Sequence, residues 1–169
     1  MHPFDIRDER DQDAAAIEAV TRAAFGTVAY SSGTEQFIVR ALREAGCLSV
    51  SLVATEDGVV VGHAGASPVE ISGGAAGWHG MGPVSVAPGH QGRGIGTRLV
   101  VHVLDALRTA GSAGCVVLGE PSFYGRFGFR TVPGLVLPDV PAEYFQALPF
   151  GHDLPAGTVA YHAAFEATG

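Results

Sequence analysis

The stretch Val84-Ser-Val-Ala-Pro-Gly-His-Gln-Gly-Arg-Gly-Ile-Gly-Thr-Arg-Leu-Val100 joins an apolar segment to a helical pattern through a glycine-rich loop. Glycine occupies positions 92, 94 and 96, where the absence of a Cβ lets backbone N–H groups approach a ligand closely. The first N–H groups of a helix lack intrahelical partners and lie at the positive end of the helix dipole. The stretch therefore predicts a site for a phosphate-bearing ligand.

The residues after the loop follow the period of a helix with one apolar face. Apolar positions recur every three or four residues, and polar side chains occupy the other face. The apolar face comprises Ile95, Leu99, Val100, Val103, Leu104 and Leu107, and the polar face comprises Arg98, His102, Asp105 and Arg108. This helix is predicted to bury one face against a sheet.

Two other kinds of phosphate-binding loop fit the stretch poorly. A Walker loop requires a lysine, whereas all ten basic residues of this chain are arginine, which disfavours nucleotide hydrolysis. A dinucleotide-binding loop requires glycine at the sixth motif position, where this chain has Thr97. It also requires an acidic residue on a second strand about 20 residues on, a distance that falls in helix and turn here. A glycine turn without any ligand is the remaining structural alternative.

The pattern Gln91-x-x-Gly94-x-Gly96, after an apolar strand that ends in Val86-Ala-Pro88, resembles the acyl-CoA-binding signature of the GCN5-related N-acetyltransferase (GNAT) superfamily. We interpret the stretch as a diphosphate-binding loop on the strength of this resemblance. A second segment of the chain supports the same interpretation.

Residues 119–130 resemble the other hallmark of that superfamily, in which a short helix carries Tyr-x-x-x-Gly-Phe into a strand. Tyr124, Gly128 and Phe129 match it. The aromatic pair before Gly-Arg-Phe-Gly-Phe is most similar to a bacterial subgroup of predicted N-acetyltransferases, the YhbS-like group. The resemblance covers nearly the whole chain.

The resemblance implies an α/β (α+β) acyl-CoA N-acyltransferase fold, with a mixed central sheet of six to seven strands flanked by about four helices. It implies an N-acetyltransferase that moves an acetyl group from acetyl-CoA to a primary amine of a small molecule or protein, by direct attack in a ternary complex and without a metal. An acyl-CoA-binding or regulatory module that keeps the fold without productive transfer is the alternative, because fold does not fix function.

The resemblance also implies the residues of the donor site. In the superfamily the pantetheine arm lies beside the fourth strand like an added strand, so three strand residues would act through their main chain. The expected donor-site residues are Val84, Ser85, Val86, Gln91, Gly92, Arg93, Gly94, Ile95, Gly96, Thr97 and Tyr124. The Arg93 side chain has two interpretations, a contact with a CoA phosphate or a solvated position.

Tyr124 is the expected catalytic residue, because a phenol can donate a proton to a departing thiolate and the superfamily uses a tyrosine there. The alternative is a core role, since Phe123, Phe127 and Phe129 stand beside it. The group that deprotonates the amine stays open between Glu120, His79, His63, Glu70 and water. For each of these side chains a surface charge or a structural histidine is the favoured interpretation, and none is singled out as the base.

The composition describes a compact protein of 169 residues, 47% hydrophobic and 16% charged, which we treat as one domain spanning 1–169. The chain shows no apolar run of about 18 residues and no leader at its start, so we expect a cytoplasmic location and no membrane partner. Its net charge of -7, with no run of arginines, argues against nucleic acid and is compatible with a cationic amine. Monomer and homodimer both remain possible.

Cys47 and Cys115 have neither a Cys-x-x-Cys spacing nor a histidine at ligand spacing. We expect both to be buried thiols, with no part in a disulfide, a metal site or a covalent acyl-enzyme.

The other segments predict strands and helices in the order of the implied fold. The predicted strands are 4–7, 47–55, 59–71, one ending at 84–86, 113–119 and 158–165, with a hairpin turn at 56–58 and the strand at 113–119 parallel to its predecessor. The predicted helices are one capped by Asp11 or Asp13, one capped by Thr34 and ended by Gly46, the helix after the glycine loop, and a short one near 142–146. Five prolines between 132 and 156 predict a mostly irregular segment there, which could wall the acceptor site.

Overall fold

The computed structural model describes residues 3–26, 33–151 and 153–168. The α-helices are α1 (Ala14–Phe25), α2 (Glu35–Glu44), α3 (Ile95–Thr109) and α4 (Pro121–Tyr124). The strands are β1 (Asp5–Asp8), β2 (Val50–Glu56), β3 (Val59–Ile71), β4 (Trp78–Val86), β5 (Gly114–Leu118), β6 (Leu135–Val136), β7 (Phe145–Pro149) and β8 (Gly157–Tyr161). Short 3-10 helices lie at Asp11–Asp13, Pro88–His90, Gly125–Phe127, Ala142–Tyr144 and Ala163–Glu166.

The strands form a mixed sheet in the order β1-β2-β3-β4-β5-β7. The pairs along this order are antiparallel except β4–β5, which is parallel because the chain crosses through α3 between these two strands. The two remaining strands extend the sheet beside β3, where β8 pairs with both β3 and β6. The expected fold class, the β2-β3-β4 meander and the parallel return of β5 are confirmed.

The helices cover the two faces of this sheet. The apolar stripe of α3 packs on one face, against Leu52, Ala64 and Val117 among others. On the opposite face Ile17 of α1 and Val39 of α2 pack on Val53. The predicted burial of one face of α3 is confirmed, since the six apolar positions named from the sequence are at most 4% exposed.

One irregularity in β4 positions the candidate site. Ala64 of β3 lies opposite Val84 and Ala66 lies opposite Met81, so β4 carries one extra residue between these pairs. The pairing of β4 with β5 covers only Trp78 to Met81. Beyond this bulge, residues 82–86 separate from β5 and leave a gap between the two parallel strands.

Several predicted boundaries are wrong at the start of the chain. The strand predicted at 47–55 begins at Val50, because the Cys47 N–H donates to Leu42 O at 2.9 Å and closes the end of α2. Asp13 does not cap α1 with its side chain: its carboxylate accepts from Arg7 and from the Arg10 N–H, both preceding it in the chain. Cys47 is only partly buried.

Two predictions near the C-terminus are also wrong in part. The helix predicted at 142–146 is a 3-10 helix that stops at Tyr144, because Phe145 and Gln146 pair with β5 and are buried. The strand predicted at 158–165 ends at Tyr161. There the His162 ring accepts the Ala164 N–H at 3.0 Å, which starts a 3-10 helix.

Candidate functional site

A cleft of about 340 Å³ opens at the gap between β4 and β5. It is bordered by the end of α1, the unpaired end of β4, the glycine loop, the start of α3, and α4. The lining residues are Ala24, Phe25, Val84, Val86, His90, Gln91, Gly92, Gly94, Ile95, Gly96, Phe123 and Tyr124. Eight of the eleven donor-site residues expected from the sequence are in this group; Ser85, Arg93 and Thr97 are not.

The unpaired end of β4 presents main-chain groups to the cleft. The Ala87 N–H donates to Val61 O at 2.8 Å, so odd-numbered residues in this part of β4 bond to β3. The alternation of an antiparallel ladder then directs the N–H and C=O groups of Val84 and Val86 away from β3 and into the gap. The Gln91 side-chain amide donates to Val86 O at 3.2 Å, which ties the loop to the strand. An extended ligand with amide groups can pair with this edge.

The glycine loop turns the chain sharply into α3. Gly92 and Gly94 have φ values of 79° and 83°, in the left-handed region that other residues rarely adopt. The first helical bond runs from the Arg98 N–H to Gly94 O, so the three preceding N–H groups, from Ile95 to Thr97, have no intrahelical acceptor. Together with the helix dipole, these donors give the rim of the cleft the chemistry to bind an anion.

Gly96 leaves space that a side chain would fill. A Cβ at this position would lie 3.6 Å from Val86 Cγ2 and 3.8 Å from Phe123 Cζ, two atoms of cleft-lining residues. These are ordinary contact distances, so the protein itself would accommodate a methyl group there. The group would occupy part of the cleft, which is the geometry expected of a cradle for a bulky ligand.

Three of the expected donor-site residues have side chains that lie elsewhere. Arg93 forms an ion pair with Glu56 at the end of β2 and does not line the cleft. The Thr97 hydroxyl accepts from Arg126 Nη2 at 3.2 Å. Ser85 is buried on the opposite face of the sheet, under α1 and α2.

Arg126, which was not expected from the sequence, contacts the cleft-lining Phe123 without lining the cleft itself. Its guanidinium lies 4.8 Å from the ring centroid of Phe123 and 5.6 Å from that of Phe127, and it bridges α4 to the first turn of α3. Glu56 was missed as well. The position of Arg126 two residues after Tyr124, inside the second motif, was the available signal for Arg126, whereas nothing local distinguishes Glu56.

Tyr124 packs in the aromatic cluster and also lines the cleft. Its ring makes edge contacts with Phe123 and Phe129, at centroid distances of 4.9 and 5.9 Å, so it belongs to the aromatic cluster. The same residue lines the cleft. Gly119 permits this position, because a Cβ there would overlap the Tyr124 ring. Tyr124 is therefore held rigidly by its packing while it borders the space beside β4.

His63 is a completely buried histidine on β3, opposite Ser85. Ser51 Oγ donates to Glu9 at 2.5 Å, so its single proton is used and the oxygen must accept from His63 Nε2 at 2.8 Å. This assigns the Nε2–H tautomer and leaves a lone pair on Nδ1. Among the described residues, neither His63 Nδ1 nor the Ser85 hydroxyl has a hydrogen-bond partner.

The charged groups around His63 are Glu9, which lies just after β1, and Arg43 of α2, paired with each other at 2.7 Å. Burial is the largest influence and lowers the pKa of His63 to about 4; Glu9 opposes this and Arg43 reinforces it. The imidazole is consequently neutral near pH 7.

The other candidate bases lie in different surroundings. Glu120 is exposed at the start of α4, where its carbonyl accepts the Tyr124 N–H at 3.0 Å. His79 lies at the end of β4 that is paired with β5, its Nδ1 is 2.8 Å from Ser112 Oγ, and burial lowers its pKa. Glu70 is exposed where β3 pairs with β8, away from the gap.

Cys115 is fully buried in the core beneath α3, and burial raises the pKa of its thiol to about 12. A neutral, inaccessible thiol cannot act as a nucleophile. Over the described ranges, no cluster of three or more His, Cys, Asp or Glu side chains is arranged to hold a metal ion. Within the same ranges, no helix has the length and apolar character needed to cross a membrane.

The cleft combines an open strand edge, a helix N-terminus and a tyrosine. This is the arrangement that the two sequence motifs led us to expect of an acyl-CoA acyltransferase. The model of the acetyltransferase (GNAT) family matches residues 14–129. This match covers more than half of the chain, so the chain belongs to the GNAT family. The family resemblance and the acyltransferase class expected from the two sequence motifs are confirmed.

Individual relatives agree with this assignment. YhbS of Escherichia coli K12, described as an uncharacterized N-acetyltransferase, is 42% identical over 126 residues, which are 74% of this chain and 72% of that protein. A crystal structure of E. coli YhbS in complex with CoA has a TM-score of 0.89 at 34% identity, covering 100% of this chain and 95% of that one. A GNAT family acetyltransferase from Brucella melitensis in complex with acetyl-CoA has a TM-score of 0.86 at 54% identity, covering 98% and 99%.

Proposed function

We propose that this protein transfers an acetyl group from acetyl-CoA to a primary amine by direct attack within a ternary complex. The observation that carries the proposal is the cleft, where the unpaired edge of β4, the donors at the start of α3 and the Tyr124 side chain border one space. Each matches a different part of an acyl-CoA: an extended amide-containing arm, a diphosphate and a thioester.

The donor half of the site would act mostly through the main chain. Val84 and Val86 offer N–H and C=O groups to the amides of the pantetheine arm, in the manner of an added strand. The loop and the N–H groups of Ile95, Gly96 and Thr97 offer donors to the diphosphate. When bound, acetyl-CoA supplies an activated thioester carbonyl; the protein supplies position and proton transfer.

Direct attack is supported by what borders the cleft. Among the lining residues that the structure describes there is no cysteine, serine or threonine. Cys115 is buried with a raised pKa. Among the described lining residues there is thus no thiol or aliphatic hydroxyl to carry an acyl group, which supports attack by the amine on the thioester itself.

Two protons leave the nitrogen of an ammonium acceptor during transfer. One must be lost before attack, because only the neutral amine is a nucleophile. The other leaves the tetrahedral intermediate as the carbon–sulfur bond breaks. In this proposal Tyr124 gives its hydroxyl proton to the departing thiolate and regains a proton from the nitrogen, directly or through water, so the enzyme ends unchanged. For the first proton, we propose a route through the Ser85 hydroxyl and His63 Nδ1, two buried groups without a hydrogen-bond partner among the described residues. His63 lies opposite the unpaired part of β4, whereas His79 and Glu70 lie where β4 pairs with β5 and β3 pairs with β8.

The proposal is tested by incubating the protein and acetyl-CoA with a broad panel of primary amines, including small metabolite-like amines and peptides. Release of free thiol and the mass of the acetylated product are followed together. We expect at least one amine to give both signals in equal amounts. If CoA binds but no amine in the panel is acetylated, the protein is an acyl-CoA-binding module and the transfer proposal fails.

A further inference from the structure

Glu56 connects the tip of the β2–β3 hairpin to the glycine loop. It is the last residue of β2, and the turn at Asp57 and Gly58 follows it. Its Oε2 pairs with Arg93 Nη2, and its Oε1 lies 3.4 Å from His90 Nε2. Both basic residues belong to the loop between β4 and α3, so one carboxylate contacts that loop at two points.

The contact with Glu56 directs the Arg93 side chain away from the cleft, whereas the backbone on either side of Arg93 borders the cleft. Gly92 and Gly94 line the cleft, while Arg93 between them is turned toward the hairpin and does not line it. The charge of Arg93 is therefore neutralised on the outside of the loop. Between the two glycines it is backbone, held in two left-handed conformations, that faces the cleft; His90 and Gln91 before them also line it.

Loop rigidity has a direct consequence for ligand binding. Fixing the backbone of one residue costs about 1–2 kcal/mol in conformational entropy, and glycine loses the most freedom. A loop ordered before the ligand arrives avoids that cost during binding. The Glu56–Arg93 pair is only partly exposed, at 17% and 29% of the two side chains, and a pair of this kind contributes little to overall stability. It can still affect ligand binding, because it contacts the glycine loop directly.

We infer that Glu56 is a positioning residue for the donor diphosphate, which holds the glycine loop in its binding conformation through Arg93 and His90. This inference rests on the proposed acetyl-CoA site, and it adds to that site a residue far away in sequence. In this arrangement Arg93 acts as a tether and does not contact the ligand.

The competing arrangement has Arg93 leaving Glu56 to bind a phosphate. The two predict opposite signs for one substitution. If Arg93 is a tether, Glu56→Gln loosens the loop and weakens CoA binding. If Arg93 is a phosphate ligand, Glu56→Gln releases its guanidinium, removes a competing negative charge and strengthens CoA binding.

The test is calorimetric titration of CoA into the full-length protein and four variants. We expect Glu56→Gln and Arg93→Met each to weaken CoA binding about tenfold, the equivalent of about 1.4 kcal/mol. The charge swap Glu56→Arg with Arg93→Glu should restore affinity to within about threefold of wild type. Asp57→Asn is the matched control, because it removes a neighbouring exposed carboxylate while asparagine tolerates the positive φ there.

Amide hydrogen exchange of the loop without ligand provides a second readout. Exchange across residues 88–94 should accelerate in Glu56→Gln and Arg93→Met, recover in the charge swap, and stay unchanged in Asp57→Asn. Tighter CoA binding by Glu56→Gln, unaltered exchange of the loop, or no recovery in the charge swap would each overturn the inference. Absence of CoA binding by the wild-type protein would instead overturn the proposed function.

Discussion

Tyr124 is constrained on one side by aromatic packing and borders the donor cleft on the other. Tyr124→Phe keeps the ring and its edge contacts but removes the proton. We expect kcat to fall about a hundredfold, as general acids of this kind contribute, with CoA affinity nearly unchanged. Steady-state thiol release and calorimetry measure the two effects. Tyr144→Phe is the control, because Tyr144 does not line the cleft. An unaltered kcat in Tyr124→Phe would show that Tyr124 has only a packing role.

Ser85 and Ser67 are similar buried serines, and comparing their variants tests the proposed deprotonation of the amine. Both are buried on the α1 and α2 face of the sheet, and neither hydroxyl has a partner among the described residues. Ser85 lies opposite His63 where β4 is unpaired, whereas Ser67 lies opposite Gly80 where β4 is still joined to β5.

We expect Ser85→Ala to lower kcat/KM about tenfold to a hundredfold and to alter its pH profile, while Ser67→Ala changes neither. Thermal unfolding should be similar for the two variants, since each removes an unpaired buried hydroxyl. The pH dependence of kcat/KM separates a proton-transfer role from a structural one. Equal activity of the two variants would exclude Ser85 and direct attention to Glu120 or water.

At the scale of elements, the junction of β4, the loop and α3 is where the ligand is expected to bind. A Cβ at Gly96 meets only ordinary contacts in the protein but enters the cleft. Gly96→Ala should therefore fold normally and bind CoA about tenfold to a hundredfold more weakly, from the 1–3 kcal/mol that overpacking costs. CoA-dependent thermal stabilisation measures this loss. Gly89→Ala, where a Cβ meets open space, should bind normally; equal binding by both variants would argue against the cradle.

Elements with a strong local signal could be predicted from the sequence. The period of α3 and the hairpin turn at 56–58 depend on neighbouring residues, and the structure has them as expected. Strand β7 could not be predicted, because Phe145 and Gln146 become a strand only by pairing with β5. The role of Glu56 could not be predicted either, because its partner Arg93 is 37 residues away and no local pattern links the two residues.

For the whole molecule, His63 gives a pH dependence of stability with a definite sign. Its pKa falls from 6.5 to about 4 on burial, so below pH 6.5 the unfolded chain binds a proton that the folded chain does not. The free energy of unfolding should fall by about 3 kcal/mol between pH 6.5 and 4 from this group alone. His79, whose pKa is also lowered, acts in the same direction.

Urea unfolding at a series of pH values measures this dependence. His63→Gln should flatten the curve between pH 6.5 and 4, and His102→Gln, on the solvent side of α3, should leave the slope as in wild type. An identical slope in His63→Gln would contradict the buried neutral state assigned to His63.

The acceptor half of the molecule was the least predictable from sequence. The donor loop is recognisable because binding a diphosphate requires glycines at fixed spacing, whereas an amine imposes no such pattern. Ser85 and His63, which we propose take the first proton, come from different strands and lie opposite each other only through the register of β3 and β4. The cytoplasmic location, the single domain, the oligomeric state and the identity of the amine stay predictions or open choices from the sequence.

We propose that the unpaired end of β4 and the glycine loop together hold acetyl-CoA. A crystal structure of the protein with acetyl-CoA tests it most directly. We expect the pantetheine amides to pair with the main chain of Val84 and Val86, the diphosphate to accept from the N–H groups at the start of α3, and the sulfur to lie within hydrogen-bond reach of the Tyr124 hydroxyl. Acetyl-CoA bound elsewhere, with the gap between β4 and β5 left empty, would contradict the account.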